Sequence, residues 1–343
     1  MSVTNRIELK NYRSAKIDWS SAGILIILAA MIILFGLINP KFFTPKNVGN
    51  ILRQISIVGI CAVGMTAVIL TGGIDLSVGS VIGITAVSGA MMLSLGLPIP
   101  VAILFVLAIG ACAGGFNAFC INVFGIPPLI TTLGTMTALR GLIYVVTGGK
   151  SVYGIPESFK FIGQGDIFIV PVSALIMLAV FIVGYIILNK TVFGRRIYGI
   201  GGNVEAARLS GIKVKFELAK VYICAGMLSA VAGLVLMSKV NSGQPSAGDG
   251  YEMDIITAVV LGGVSVSGGE GKLMKVIIGV VFMGVLANGM MMLNIGEFQQ
   301  RLVKGLVLIF AVALDIASKN YSDTRGKKIK QTGAVRPEAA CKD

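Results

Sequence analysis

The chain has 343 residues, of which 55% are hydrophobic and only 13% are charged, and its mean hydropathy is +0.88. A soluble domain of this length does not need so apolar a composition, so we expect a polytopic membrane protein. Histidine is absent, which excludes imidazole-based catalysis and metal sites, and the net charge is +13.

The apolar segments predict an all-α fold, a transmembrane helical bundle of about ten spans. A crossing helix needs about 20 apolar residues. In chain order the predicted spans are Ala22–Ile38, Ile51–Leu70, Leu76–Leu95, Val101–Val123, Leu129–Val146, Phe168–Leu188, Leu218–Met237, Ile255–Val264, Leu273–Leu293 and Leu302–Ala317. The eighth is too short to cross as apolar helix alone. We expect it either to be extended by Tyr251–Asp254 or to be broken inside the bundle.

Basic residues predict the orientation. They cluster in a tail at 1–20, in a central loop at 189–217 and in a tail at 318–343, which flank and divide a transmembrane permease domain at 21–317. The positive-inside rule places all three stretches, and hence both termini, in the cytoplasm. Ten crossings satisfy this, with six before the central loop and four after it. The charge is thus explained by orientation, and we expect no nucleic-acid partner.

Two further absences are expected. The first apolar run lacks a small-residue cleavage site, so we predict no removable targeting segment. Four of the five cysteines lie in apolar spans, without the spacing of a disulfide framework or a metal site. We expect no cofactor.

A weak internal repeat relates two glycine-rich segments. Gly72–Gly79 aligns with Gly262–Gly269, and the apolar stretches Met65–Leu70 and Ile256–Leu261 that precede them also match. Repeated glycine-broken segments mark transport pathways in membrane proteins. A Gly-Gly pair followed by Asp or Ser also makes an ordinary interhelical turn, and the sequence leaves both interpretations open.

Asp75 is the only charged residue between Arg53 and Arg140, so it must face a cavity, a partner or the cytosolic edge. Proton coupling is one interpretation, and helix capping or contact with an ATPase is the other. Polar uncharged side chains in the spans suit a sugar's hydroxyl groups, although each also serves as a link between helices. Arg140 either marks a shifted boundary or pairs with a carboxylate. The candidate pathway residues are Gly72, Gly73, Asp75, Ser77, Asn117, Thr131, Thr132, Gly262, Gly263, Ser265 and Asn288.

The central loop carries its own local pattern. Gly201 and Gly202 break the chain, Asn203 is a good helix N-cap, and Val204–Leu209 can form two turns that Ser210 and Gly211 end. So short a helix is unstable alone, so it must rest on the spans or dock into a partner. A capped linker that merely joins two halves is the alternative.

Four stretches carry a family resemblance. Gly199–Gly211, Leu70–Ser80, Gln244–Glu252 and Leu261–Lys272 resemble permease subunits of ribose-type ABC sugar importers, a family related to branched-chain amino acid permeases. The resemblance implies an ABC ATPase subunit as partner, bound at Gly201, Gly202, Asn203, Glu205, Ala206, Ala207, Arg208 and Gly211. It also implies a second permease copy and an extracytoplasmic sugar-binding protein. Gln244, Asp249, Tyr251 and Glu252 are the candidate docking residues for that protein.

The expectation is therefore a non-enzymatic, multi-pass subunit in a bacterial cytoplasmic membrane that imports ribose or a similar monosaccharide. No stretch has the glycine spacing of a nucleotide-binding phosphate loop, so ATP hydrolysis is expected on a separate subunit. An ion-coupled secondary transporter and an ABC permease for another small polar solute, such as a branched-chain amino acid, remain the alternatives.

Overall fold

The computed structural model describes residues 19–333, with side-chain environments for 23–317. The basic residues of the N-terminal tail lie outside the described residues. The helices are α1 (Trp19–Ile38), α2 (Pro45–Leu70), α3 (Val78–Ser94), α4 (Ile99–Val123), α5 (Pro128–Thr147), α6 (Glu157–Gln164), α7 (Val172–Lys190), α8 (Val192–Gly202), α9 (Val204–Leu209), α10 (Val214–Val240), α11 (Tyr251–Leu261), α12 (Leu273–Met292) and α13 (Glu297–Gly333). A 3₁₀ turn, Pro40–Phe43, joins α1 to α2, and β1 (Asp166–Ile167) pairs antiparallel with β2 (Val170–Pro171).

The all-α, polytopic prediction is confirmed. Within the described residues, six helices are long and apolar enough to cross a membrane, namely α2, α4, α5, α7, α10 and α12. Shorter apolar helices occupy Gly23–Ile38 and Val78–Ser94. The predicted number of ten spans is not established by these helices and stays a prediction.

Several predicted boundaries were wrong by a few residues. Phe168 has a φ of 57° and lies in the β1–β2 turn, so the sixth apolar helix begins only at Val172. The third begins at Val78, and the eighth ends at Leu261 because glycines follow it. Helix α13 runs past residue 317 to Gly333, and the predicted domain boundary at that residue stays a prediction. Apolar composition marks the bundle well, but the local turn decides where each helix starts.

Helix α10 lies at the centre of the bundle, packed against α2, α3 and α4. Its closest approach is to α4, where glycines bring the two backbones together. A Cβ on Gly110 would collide with the carbonyl of Gly226, and a Cβ on Gly114 would collide with the carbonyl of Tyr222. In lipid the hydrophobic effect does not drive helices together, so such close van der Waals packing is what holds this pair.

The eighth segment is broken inside the bundle. Residues 241–250 run irregularly along α3, with Gly243 packed on Ala90 and Gly248 packed on the backbone of Gly79. Helix α11 then starts at Tyr251, so it does include the predicted extension. Its 11 residues span only about 16 Å, half of the roughly 30 Å hydrocarbon layer. The irregular backbone is tolerated because it is buried against α3.

Hydrogen bonds identify two opposite ends of the bundle. At one end, Asn47 at the start of α2 exchanges amide hydrogen bonds of 3.0 Å with Asn288 near the end of α12. Ser238 near the end of α10 bonds α6 at the same end, accepting from the Gly163 N–H at 2.8 Å. At the other end, the Gly269 N–H donates to the carbonyl of Leu70, the last residue of α2, at 2.9 Å. Helices α8 and α9 lie at this second end.

The α4–α10 contact gives a matched pair of substitutions. Gly114→Ala should destabilise the protein by about 1–3 kcal/mol, since the new methyl group must push two helix backbones apart. Gly115→Ala should be neutral or stabilising, because its Cβ would meet Ile223 only at 3.8 Å and alanine favours helix. Thermal unfolding of both variants in detergent measures this. Equal unfolding temperatures would contradict the contact.

Candidate functional site

The central loop is folded as α8 and α9, and its predicted local structure is confirmed. Asn203 caps α9, its Oδ1 accepting from the Ala206 N–H at 2.9 Å, and the helix covers Val204–Leu209. Gly211 ends it with a φ of 80°, a conformation that suits glycine. Ala207 faces inward and is buried, so one side of this small helix rests on the bundle.

The other side of α9 is open to solvent. Glu205 and Arg208 form an ion pair of 3.0 Å, and both side chains are 70% exposed. Leu209 is 83% exposed and Val204 is also exposed. An exposed pair of this kind contributes little to stability, and an apolar side chain gains nothing from facing water. The sequence pattern did not predict Leu209 as a surface residue of this site. The available signal was an apolar residue directly before Ser210 and Gly211, which end the helix.

Five glycines from three parts of the chain meet at the C-terminal end of α8. We call them the glycine junction: Gly72, Gly201, Gly202, Gly268 and Gly269. A Cβ on Gly201 would collide with the carbonyl of Leu70 and with the N–H of Gly269. A Cβ on Gly268 would lie 2.8 Å from the Gly72 nitrogen, and one on Gly269 would lie 2.7 Å from the Gly202 nitrogen. The central loop therefore contacts both glycine-rich segments directly through backbone.

Each glycine-rich segment is first of all a helix end. The N–H groups of Gly72 and Gly73 donate to the carbonyls of Ile69 and Val68 at 2.8 and 3.2 Å. Gly263 and Val264 make the same two bonds to Val260 and Val259, at 2.8 and 3.3 Å. Gly72 and Gly263 both have a φ near +80°, as this type of C-terminal cap requires.

The caps correct one detail of the predicted alignment. Structurally Gly72 corresponds to Gly263, not to Gly262, so the two segments are offset by one residue from the sequence match. Ser265 is therefore not the counterpart of Asp75 in the fold. The shared cap favours the interhelical-turn interpretation of these glycines, and the internal repeat as a whole stays a prediction.

Side chains hold α8 and the second glycine turn in place. The Tyr198 hydroxyl donates to the Gly271 carbonyl at 2.9 Å, and burial raises the pKa of this tyrosine. Asp315 on α13 accepts from the Ser265 hydroxyl at 3.2 Å and from the Val266 N–H at 3.4 Å. Arg196 donates to Glu217 at 2.6 Å. Sequence reasoning did not anticipate Asp315, because its partner is 50 residues away.

One buried cluster contains four of the candidate pathway residues, Asp75, Ser77, Asn117 and Thr132, together with Thr135. Asp75 Oδ1 accepts from the Ser77 N–H and hydroxyl at 2.9 and 2.6 Å, and Asn117 donates to the Ser77 hydroxyl at 2.9 Å. Thr135 donates to Asn117 at 2.6 Å, and Thr132 donates to the Ile74 carbonyl at 3.1 Å. Asp75 is 3% exposed. Its contacts are those of a residue that fixes the turn into α3 and ties it to α4 and α5.

Other candidates lie elsewhere. Asn288 bonds Asn47 at the opposite end of the bundle and is not part of this cluster. Thr131 is buried, and its hydroxyl has no hydrogen-bond partner among the described residues. Its position on the buried face of α5 is consistent with either interpretation of the polar residues.

Three of the four predicted docking residues, Asp249, Tyr251 and Glu252, line one cavity, and Gln244 does not. Gln244 donates to the Ser242 hydroxyl at 3.3 Å, and Asp249 pairs with Arg301 at 3.0 Å. Glu252 is buried beside Gly79 and does not face outward. That cavity has a volume of about 360 Å³, and its other polar residues include Gln54, Asp254, Gln300 and Lys304. Glu252 lies inside the bundle because residues 241–250 descend into it.

A family model decides the classification. Residues 47–312 match the model described as "Branched-chain amino acid transport system / permease component". The chain belongs to this family. The match covers α2 to most of the apolar part of α13, and so includes both glycine turns, the glycine junction and α9.

Curated relatives are similar over almost the whole chain. The ribose import permease protein RbsC of Bacillus subtilis is 44% identical over 290 residues, covering 84% of this chain and 90% of the relative. RbsC of Haemophilus influenzae is 43% identical over 324 residues, covering 93% and 98%. The L-arabinose transport system permease protein AraH of Escherichia coli is 39% identical, covering 87% and 90%. No solved structure matches the chain.

The glycine junction predicts a sharp difference between adjacent residues. Gly201→Ala should detach α8 and α9 from the bundle, because the methyl group would overlap the Leu70 carbonyl. Gly202→Ala should have little effect, since nothing lies within 4 Å of its Cβ. Trypsin cleavage after Arg208 in detergent reports this. We expect cleavage at least about tenfold faster in Gly201→Ala than in Gly202→Ala, as local opening controls proteolysis. Equal rates would contradict the junction.

Proposed function

We propose that this chain is the membrane-spanning permease subunit of an ATP-driven ABC importer that brings a monosaccharide, best matched by ribose, into the cytoplasm. The single observation that carries the proposal is the similarity to ribose import permeases over almost the full length of both proteins. The arabinose permease matches at lower identity, which supports pentoses as the substrate class.

The geometry of α9 supports coupling to a separate ATPase subunit. Its exposed pair Glu205–Arg208 and exposed Leu209 offer a small mixed surface, while Ala207 faces the bundle. The glycine junction connects that surface to the ends of α2 and α11 through backbone contacts. A displacement of α9 by a partner must therefore be passed to both helix ends, because no side chain lies between them to absorb it.

We also propose ten crossings with both termini in the cytoplasm. The ten proposed crossings are α1 to α5, α7 and α10 to α13. The eighth crossing consists of the irregular residues 241–250 followed by α11. The ends of α2 and α11 lie with α8 and α9 at one end, and the starts of α2 and the end of α12 lie at the other. The basic residues of α8 and α9 support the assignment of the end that carries these two helices to the cytoplasm.

Two further partners belong to the proposal. A second copy of this chain or of a close relative would complete the pathway, and an extracytoplasmic binding protein would deliver the sugar. The end of the bundle that carries α6 and the β1–β2 hairpin is the side on which the binding protein would dock. ATP hydrolysis would occur on the ATPase subunit, so this chain would act without catalysis.

Uptake of radiolabelled ribose tests the function directly. Cells that express the chain with its ATPase and binding-protein partners should lose ribose uptake when the ATPase is inactivated and should retain it when the proton gradient is collapsed. Arabinose and leucine are measured in parallel. Uptake that continues after the ATPase is inactivated but stops when the proton gradient is collapsed would instead indicate a secondary transporter. Uptake of leucine alone would indicate an amino acid permease.

Cysteine labelling tests orientation and coupling together. Leu209→Cys should react with a membrane-impermeant maleimide only in inside-out vesicles, and bound ATPase subunit should slow its labelling. Leu95→Cys, a matched leucine that is 78% exposed at the opposite end, should react from outside intact cells and be indifferent to the ATPase. A chain carrying only Cys341→Ser supplies the background. Labelling of Leu209→Cys from outside would overturn the orientation.

A further inference from the structure

A second polar cavity, of about 400 Å³, lies between α5 and the start of α11. It is lined by Met136, Thr137, Arg140, Gly141, Tyr144, Asp249 and Glu252. Three of these residues, Arg140, Asp249 and Glu252, have side chains that can carry a charge near neutral pH, although the cavity lies among apolar spans. Charges in such a place are costly and mark a functional site more often than a structural one.

Glu252 is only partly satisfied by the fold. Backbone N–H groups of Gly250 and Glu252 at the start of α11 bond its carboxylate, but its Oε2 has no hydrogen-bond partner among the described residues, although the residue is only 8% exposed. A buried carboxylate oxygen without a partner costs free energy that a structural role would not tolerate. It reaches this position only because Gly79 has no Cβ, which would otherwise collide with Oε2.

Arg140 forms the opposite wall of the cavity, and some of its hydrogen-bond donors already have partners. Its Nη1 donates to the carbonyls of Pro245 and Ala247, at 3.3 and 2.8 Å, and so fixes the irregular backbone before α11. The guanidinium has five donors, of which these bonds use only part. The sequence offered pairing with a carboxylate as one interpretation of Arg140, and Glu252 lines the same cavity but makes no ion pair with it among the described residues.

The other carboxylates around α11 are already paired. Asp249 bonds Arg301 at 3.0 Å, and Asp254 bonds Lys304 at 2.6 Å. Both pairs line the neighbouring cavity of about 360 Å³, which Glu252 also lines, and Asp249 borders the α5 cavity as well. Among the described residues that line the α5 cavity, Glu252 is therefore the carboxylate without an ion pair, and Tyr144, 46% exposed, offers a ring and a hydroxyl beside it.

We propose that this cavity is a transient binding site for a polyhydroxy solute on the translocation pathway. The Glu252 carboxylate would accept from two neighbouring sugar hydroxyls, and Arg140 and Thr137 would bond further oxygens. The Tyr144 ring would cover an apolar sugar face. The inference rests on the proposed import of a monosaccharide and adds the residues that select it inside the membrane.

The test uses the complete importer, with ATPase and binding protein, reconstituted in vesicles. Glu252→Gln keeps the size of the side chain and removes its charge and one acceptor position. Initial ribose uptake should fall about tenfold, the effect of losing one hydrogen bond to a charged group. The ratio of ribose to arabinose rates should also change, because the hydroxyl positions read by Glu252 differ between the two sugars. A purely structural role would lower both rates equally.

A matched control lies outside the cavity and away from both α6 and α9. Tyr185→Leu on the exposed face of α7 should leave the rates and their ratio unchanged. Tyr144→Leu gives a second, more tolerant variant if the Glu252→Gln chain fails to assemble with the ATPase. It too should change the ribose to arabinose ratio.

The two proposals fail in different ways. Absence of ATP-dependent ribose uptake by the unsubstituted complex would overturn the proposed function, and this site with it. Normal uptake by the unsubstituted complex, with rates and ratio within twofold of it in both Glu252→Gln and Tyr144→Leu, would overturn the cavity site alone.

Discussion

Direct contact between backbones, made possible by glycine, is the constraint on which this structure depends. Helices in lipid gain no hydrophobic free energy by associating, so they must approach closely to gain dispersion energy. Gly110, Gly114 and Gly226 allow this between α4 and α10, the central pair of the bundle. The same device recurs where Gly79 receives the irregular segment before α11 and where Gly201 covers the Leu70 carbonyl.

The glycine junction ties a small surface helix directly to the bundle. Flexible side chains between two elements absorb small displacements by changing rotamer, whereas backbone in contact with backbone cannot. Helix α9 is joined through Gly201 and Gly202 to the last residue of α2 and to the turn after α11. The turn is held from its other side by Asp315 of α13, so four elements meet at one place.

The charges inside the bundle divide into two groups. Asp249, Asp254 and Glu217 are paired with basic side chains, and Asp75 is satisfied by Ser77. These groups fix elements to one another, as buried polar contacts do when every partner is present. Glu252 differs because one oxygen lacks a partner in the described part of the chain. That difference, and not the presence of charge alone, is the reason why a binding site is proposed at Glu252.

The sequence by itself determined the membrane class, the apolar segments, the cap at Asn203 and the helix Val204–Leu209, because hydropathy and capping are local properties. It also identified the family through short glycine-rich motifs. It did not determine that Gly72, Gly201 and Gly269 meet, that Asp315 holds the second turn, or that Glu252 lies inside the bundle. Those contacts join residues 50 to about 200 positions apart, and only the packing of the helices in three dimensions decides which backbones and charges come together.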